Sequence, residues 1–267
     1  MDGTRAVCLN EAAVKLGLLV SDTPQARLAE AELVERVEFV SRRSADAVVV
    51  LGGDGFMLSV LHHVLHAATP KPVYGMNRGT IGFLMNHYDP DDLLARVAAA
   101  RRFCLSPLSM TATTIEGEVI VSPAINEVSL LREARQAAKI EISIDGKVRL
   151  AELACDGVLL STPAGSTAYN LSAGGPILPL DCDLVALTAL SPFRPRRWKG
   201  ALVNKHSEVE FRILEPERRP VSAVADQLEV RNVASVRIRS DLKQRLELLF
   251  DPDYALDDRI MMEQFQS

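Results

Sequence analysis

The stretch ADAVVVLGGDGFMLSVLHHVLHAA, Ala45–Ala68, restricts the fold of this chain more than any other. Ala47–Leu51 is apolar at every position. A run that short, with no polar face and a glycine at its end, is typical of a parallel strand buried on both sides. Apolar residues then recur at helical spacing, at Met57, Val60, Leu61, Val64 and Leu65. The flanks repeat the alternation. VKLGLLV (Val14–Val20) reads as a strand. The helix after it has Thr23 as N-cap, Pro24 at N1 and acidic residues early. KPVYGMN is a third strand. DPDDLLARVAAARR is a helix with Asp89 as N-cap, Pro90 at N1 and arginines at its C-terminal end, where the helix dipole favours them. This order predicts an open parallel, Rossmann-like α/β sheet.

Past Arg102 the texture changes. LSMTATTIEG, EVSLLRE, AKIEISIDGKVRLAEL, DGVLLSTP, SEVEFRILEP, PVSAVADQLEVR and VASVRIRSD are strand-like, with little helix between them. Asp145-Gly146 between two alternating runs is a hairpin signal. The tail DDRIMMEQFQS is helix-like again. The expected organisation is therefore an α/β domain over residues 1–104 and 242–267, its C-terminal segment returning to it, and a mostly β domain over residues 105–241.

The 267 residues are 48% apolar, enough for one large core or two modest ones. With 35 acidic against 30 basic residues the net charge is −5, which argues against a nucleic-acid coat but not against a small anionic ligand. No stretch reaches the roughly 20 apolar residues that span a bilayer, and no signal peptide is visible. Cys8, Cys104, Cys155 and Cys182 form no CxxC pair, so a reduced, cytoplasmic setting is expected.

Three stretches carry chemistry. A strand-to-helix turn in a parallel sheet opens at the carboxyl edge, where such sheets bind ligands. Gly52, Gly53 and Gly55 let a phosphate approach the backbone there, and the helix N-terminus offers it free N–H groups. Asp54 among them would repel phosphate unless it served a metal ion or took a proton from a hydroxyl, both tasks of phosphoryl transfer. The plain alternative is a tight turn with Asp54 capping the helix. In CDGVLLSTPAGSTAYNLSAGGPIL (Cys155–Leu178), hydroxyls, amides and exposed backbone suit a ligand with sugar and amide groups, and Tyr169 suits a base or a phosphate. The alternative is a polar surface loop. In AINEVSLLR, Asn126 and Glu127 together match a ribose, the carboxylate accepting from hydroxyls and the amide doing both. A mere strand-entry turn is the alternative.

GGDG, then NE, then DGVLLSTPAGSTAYNLSAGGP, in that order, resemble the NAD kinase family over Val48–Leu178. The resemblance implies an α/β domain followed by a β-rich one, and transfer of a phosphoryl group from ATP or polyphosphate to the adenosine 2′-hydroxyl of NAD, which lies between the domains. It implies a divalent cation, Mg²⁺, carried with the donor phosphates rather than by fixed protein ligands, and a homodimer or homotetramer. By position, Asp54 matches the catalytic aspartate and Gly55 lies beside it in the NAD site. Gly52, Gly53 and Gly55 form the phosphate-donor loop. Asn126 and Glu127 match the pair holding the adenosine, and Asp156 matches an aspartate on the dinucleotide. Ala164, Thr167, Ala168, Tyr169, Asn170, Leu171 and Ser172 fall on the dinucleotide-binding run, and Gln227 falls near a later NAD contact. Phe56 stands where many members carry threonine, so phosphate contacts here rely more on backbone N–H groups.

Lipid kinases and phosphofructokinases share GGDG, but the long third stretch suits neither an acyl pocket nor a sugar phosphate as well. An NAD-binding sensor would be expected to lack Asp54. His62, His63 and His66 show helical spacing without a third metal ligand, and FRPRRWKG is too short for a nucleic-acid surface. PVYGMNRGTIGFLMN either lines the site near GGDG or is a flexible turn.

Overall fold

The computed structural model describes residues 14–252, in two compact units. One unit runs to Leu105 and resumes at Arg245; the other is Ser106–Gln244. The elements of the first are β1 (Leu16–Val20), α1 (Pro24–Val34), β2 (Ala47–Gly52), α2 (Asp54–Leu65), β3 (Val73–Asn77), α3 (Leu93–Ala99) and β4 (Arg101–Leu105). The second unit holds β5 (Leu108–Thr114), β6 (Val119–Ala124), β7 (Glu127–Arg132), β8 (Ala138–Ile144), β9 (Lys147–Cys155) and β10 (Gly157–Ser161). A 3₁₀ turn (Ala164–Thr167) and α4 (Tyr169–Ser172) follow, then β11 (Leu184–Leu190), β12 (Gly200–Asn204), β13 (Val209–Ile213), β14 (Val221–Ala225), β15 (Leu228–Val230) and β16 (Val233–Ser240). β17 (Leu246–Phe250) returns to the first unit.

The first sheet has the order β1-β2-β3-β17-β4. β1, β2, β3 and β17 are parallel, and β4 runs antiparallel on the edge. Every residue of β2 is buried, as its apolar run requires. Thr23 caps α1, its hydroxyl accepting from the Ala26 N–H, with Pro24 at N1. Leu16, Leu33, Val49, Leu51, Tyr74 and Met76 share one core. The second unit has two antiparallel sheets, ordered β12-β11-β10-β7-β14-β15 and β6-β5-β16-β13-β8-β9. They share a core that includes Val128, Leu130, Val158, Leu160 and Phe211. Asp145 and Gly146 both have positive φ, 51° and 72°, and join β8 to β9 in the two-residue hairpin the sequence predicts.

Five expectations are corrected. Asp89 does not cap α3, because its carboxylate accepts from the Asp91 N–H two residues on, an Asx turn. The helix starts at Leu93 behind Asp92, so Pro90 is not at N1. Arg101 and Arg102 belong to β4, where pairing with β17 outweighs helix continuation. The first turn of α1 carries no acidic residue. Finally, β6, β11, β12 and β17 lie outside the strand-like runs of the sequence; β6 pairs with its neighbour β5 and β12 with β11, while β17 joins β3 and β4 from far along the chain. The helix expected in DDRIMMEQFQS lies outside the described residues.

Candidate functional site

In the first unit, β2 and β3 end side by side, with Gly52 registered against Asn77. Their carboxyl ends lead into the GGDG turn and into the segment Arg78–Met85. The Arg78 N–H donates to the Gly52 carbonyl at 2.6 Å. A Cβ on Gly79 would lie 2.8 Å from Gly53 Cα, so the two backbones touch at a distance only glycine allows. The segment therefore lines the GGDG turn. Gly53 is the N-cap of α2 and Asp54 is its first residue, with no side-chain cap bond. Asp54 is thus not a capping residue. Its Oδ2 accepts from Gly82 N–H at 2.9 Å and its Oδ1 from Leu84 N–H at 3.0 Å. Those bonds fix the plane of the half-buried carboxylate and leave further lone pairs on both oxygens. A Cβ on Gly55 would meet open space. Phe56 folds back over Gly52, where a Cβ would come within 2.8 Å of the ring.

In the second unit, β7 begins at Glu127 beside β10 and β14. The Thr162 N–H donates to the Asn126 carbonyl at 2.9 Å, and the Thr162 hydroxyl to the Ile125 carbonyl at 2.7 Å. Gly165 packs so closely on Asn126 that a Cβ would fall 2.2 Å from its carbonyl oxygen. The Asn126–Glu127 turn is therefore clamped by the start of the Ser/Thr/Gly run. Its side-chain tips are not: Asn126 Oδ1 and Glu127 Oε2 are buried without a hydrogen-bond partner. Burial, then the nearby charge of Asp226, pushes the Glu127 carboxyl up to about 7.

Tyr169, at the start of α4, is 36% exposed. Burial of its hydroxyl end, then the charges of Glu127 and Asp156, raise its pKa. Tyr169 thus feels both carboxylates, Glu127 at the start of β7 and Asp156 at the far end of the β7–β10 pair. Asp156 is bonded to Arg132 Nε at 2.6 Å, a pair about a third to a half exposed. Asn170 is fully buried and its amide is occupied. Its Nδ2 donates to the Ser166 and Pro176 carbonyls at 3.1 and 2.8 Å, and its Oδ1 accepts from Thr188 Oγ1 at 2.6 Å. That side chain braces the run from inside, so ligand contact there falls to backbone and neighbours. Ala164 is buried, Thr167, Ala168 and Leu171 are half-buried, and Ser172 and Gln227 are exposed. Gln227 follows Asp226 in the β14–β15 hairpin. His63 Nδ1 lies 2.7 Å from the Ser59 carbonyl oxygen, one helical turn away.

Sequence reasoning missed Asp226, Arg132 and Thr162. Asp226 stands one residue before Gln227, and an aspartate in a two-residue hairpin was its available signal. Arg132 becomes a partner of Asp156 only through the β7–β10 pairing.

Among the described residues no three His, Cys, Asp or Glu side chains cluster so as to hold a metal ion, and no helix is long and apolar enough to cross a membrane. Residues 10–100 match the family model of the ATP-NAD kinase N-terminal domain, and residues 125–240 that of the ATP-NAD kinase C-terminal domain. The chain is 53% identical over 252 residues to an NAD kinase of Zymomonas mobilis, covering 94% of this chain and 98% of that protein. It is 56% identical over 251 residues to one of Rhizorhabdus wittichii, with the same coverage. In fold it resembles the crystal structure of yeast NADH kinase complexed with NADH, with TM-score 0.76 and 21% identity over 95% of this chain and 88% of that one. An NAD kinase from Archaeoglobus fulgidus in complex with ATP gives TM-score 0.70 at 21% identity, over 94% and 98%.

Proposed function

The chain belongs to the NAD kinase family and phosphorylates NAD to NADP, and from that premise we propose how its residues divide the work. Asp54 accepts a hydrogen bond from the adenosine 2′-hydroxyl of NAD. A ribose hydroxyl is far too weak an acid to be ionised in advance, so Asp54 orients it and takes its proton late, as the new O–P bond forms. The backbone N–H groups at the start of α2, beside Gly53 and Gly55, offer donors to phosphate oxygens. Asn126 and Glu127 hold the adenosine ribose, and Tyr169 and Asp156 contact other parts of the dinucleotide. The backbone and small side chains of Ala164–Ser172 follow the dinucleotide, and Gln227 adds a contact.

Mg²⁺ enters as part of the nucleotide substrate. It is a hard cation that prefers oxygen ligands, and the donor phosphates supply them. When bound, it neutralises the phosphate charge. The remaining work falls to positioning, because phosphoryl transfer asks little covalent chemistry of the protein. A reducing, cytoplasmic setting agrees with Cys104, Cys155 and Cys182 being unpaired. A homodimer or homotetramer completes the proposal, and light scattering in solution tests it.

The observation that carries the assignment is the pair of buried, unpartnered oxygens on Asn126 and Glu127. Leaving them without donors costs free energy that a ligand's hydroxyl and amino groups recover. The test is to incubate protein with NAD, ATP and Mg²⁺ and to detect NADP with an NADP-specific dehydrogenase, with polyphosphate and NADH as alternative substrates. Asp54→Asn is expected to fold and to bind NAD while kcat falls about 10²- to 10⁴-fold. Near-normal turnover in that variant would remove Asp54 from the chemistry.

A further inference from the structure

Asp226 lies outside the roles just assigned, and its geometry is unusual. It occupies the left-handed region, φ 49°, at the first position of the β14–β15 hairpin. Non-glycine residues visit this region rarely, and aspartate is among those that tolerate it. The conformation turns the carboxylate back over the preceding strand pair. There Oδ2 accepts from the Ile125 N–H at 2.6 Å, and Oδ1 from the Asn126 and Glu127 N–H groups at 3.0 and 3.2 Å. Three consecutive backbone donors converge on one side chain about 100 residues away in sequence. The Asp226 N–H also donates to the Glu127 carbonyl at 3.2 Å.

The carbonyls of the same turn are taken from the other side, Ile125 and Asn126 by Thr162 and Asn126 also by the Ser161 hydroxyl at 3.4 Å. The backbone of Ile125–Glu127 is therefore satisfied within the protein. What remains unsatisfied is Asn126 Oδ1 and Glu127 Oε2. A turn fixed so completely, with two buried acceptors left open, is preorganised for a ligand that brings donors.

We propose that Asp226 is a positioning residue for NAD: it clamps the Asn126–Glu127 turn through three backbone N–H groups and so holds the two open acceptors in place for the ribose. This rests on the assignment of Asn126 and Glu127 to the ribose. The ionisable groups facing Glu127 are Asp226 from the hairpin and Tyr169 from α4; Asp156 and its partner Arg132 lie at the other end of β7. Asp226 acts on Glu127 directly, a like charge opposing ionisation. Ribose hydroxyls donate best to the ionised carboxylate, so NAD binding strengthens as pH rises through the Glu127 titration.

The test measures KM for NAD and for ATP between pH 5.5 and pH 8.5, a window spanning about 7, in wild type, Asp226→Asn, Asp226→Glu and Glu127→Gln. Asp226→Asn keeps the shape but loses the charge and one acceptor. It is expected to raise KM for NAD about 10- to 100-fold, the scale set by small misplacement of a binding group. Its KM for ATP stays unchanged, and the inflection of KM with pH moves to lower pH. Asp226→Glu keeps the charge and displaces the carboxylate, so KM rises while the inflection stays in place; this variant decides the matter if Asp226→Asn does not fold. Glu127→Gln abolishes the inflection. If Glu127→Gln leaves KM for NAD unchanged, the ribose assignment itself fails. If it raises KM while both Asp226 variants keep wild-type KM and inflection, the ribose assignment stands and the role of Asp226 is refuted. Lowered melting temperature with unaltered KM would also refute it, as a purely structural contribution.

Discussion

Glu127→Gln is the most informative single substitution, because burial beside Asp226 gives its effect on stability a definite sign. Burial and the charge of Asp226 raise the Glu127 carboxyl from 4.5 to about 7 in the folded protein. The folded state therefore holds a proton more tightly than the unfolded chain does. The stabilisation this confers is fully present below pH 4.5 and is lost as pH rises through about 7. The interval corresponds to about 3 kcal/mol at full development. Glutamine does not titrate, so the variant lacks this loss and gains on the wild type as pH rises. The chain has one tryptophan, Trp198, and it packs against the core of the second unit. Its fluorescence thus reports the unfolding of the unit that carries Glu127. At urea sensitivities of about 1–3 kcal/mol per molar, wild type should lose roughly 1–3 M in midpoint relative to the variant between pH 4.5 and pH 8. Groups common to both proteins cancel in the difference. The measurement is made without ligand, since NAD would donate to the same carboxylate. Parallel midpoints across that range would refute the account of Glu127 as a carboxylate held open and unpaired.

Three further outcomes follow from contacts described above. Gly79→Ala places a Cβ 2.8 Å from Gly53 Cα; it should displace the GGDG turn, costing about 1–3 kcal/mol of stability in urea unfolding and lowering kcat more than it raises KM for NAD. Asn170→Ala strands the Thr188 hydroxyl and the Ser166 and Pro176 carbonyls. It is expected to cost about 2–4 kcal/mol and to raise KM for NAD through disorder of the run, measured by denaturation and steady-state kinetics. If, as proposed, Mg²⁺ travels with the donor phosphates, EDTA should abolish NADP formation while leaving the melting temperature of the ligand-free protein unchanged; a lowered melting temperature would overturn that placement.

Much of the site was readable because it is local chemistry. A short apolar run such as Ala47–Leu51 with glycines at its end is typical of an inner parallel strand leading into a turn at its carboxyl end, and the structure has it so. Asp145-Gly146 makes its hairpin by the conformational preferences of two residues. The run STPAGSTAYNLSAGG declares its polar character residue by residue. The errors have a common origin. Asp89 has the chemistry of a cap and spends it on Asp91. Arg101 and Arg102 continue a helical pattern until the pairing of β4 with β17 takes them. In each, a competing hydrogen bond outweighed a local preference of a few tenths of a kcal/mol to about 1 kcal/mol.

Composition and pattern by themselves determined that this chain builds an α/β unit and a β unit, and which short stretches bear the chemistry. Only the tertiary structure decided what each side chain in those stretches faces. Asn170 and Asn126 are the same residue type, yet one amide is walled in by Ser166, Pro176 and Thr188 while the other keeps an open oxygen. Asp54 is oriented by Gly82 and Leu84, and the Asn126–Glu127 turn by an aspartate about 100 residues onward. Local propensity is set by a residue and its near neighbours. A hydrogen-bond partner is set by strand register, and register joins segments whose separation along the chain leaves no periodic trace.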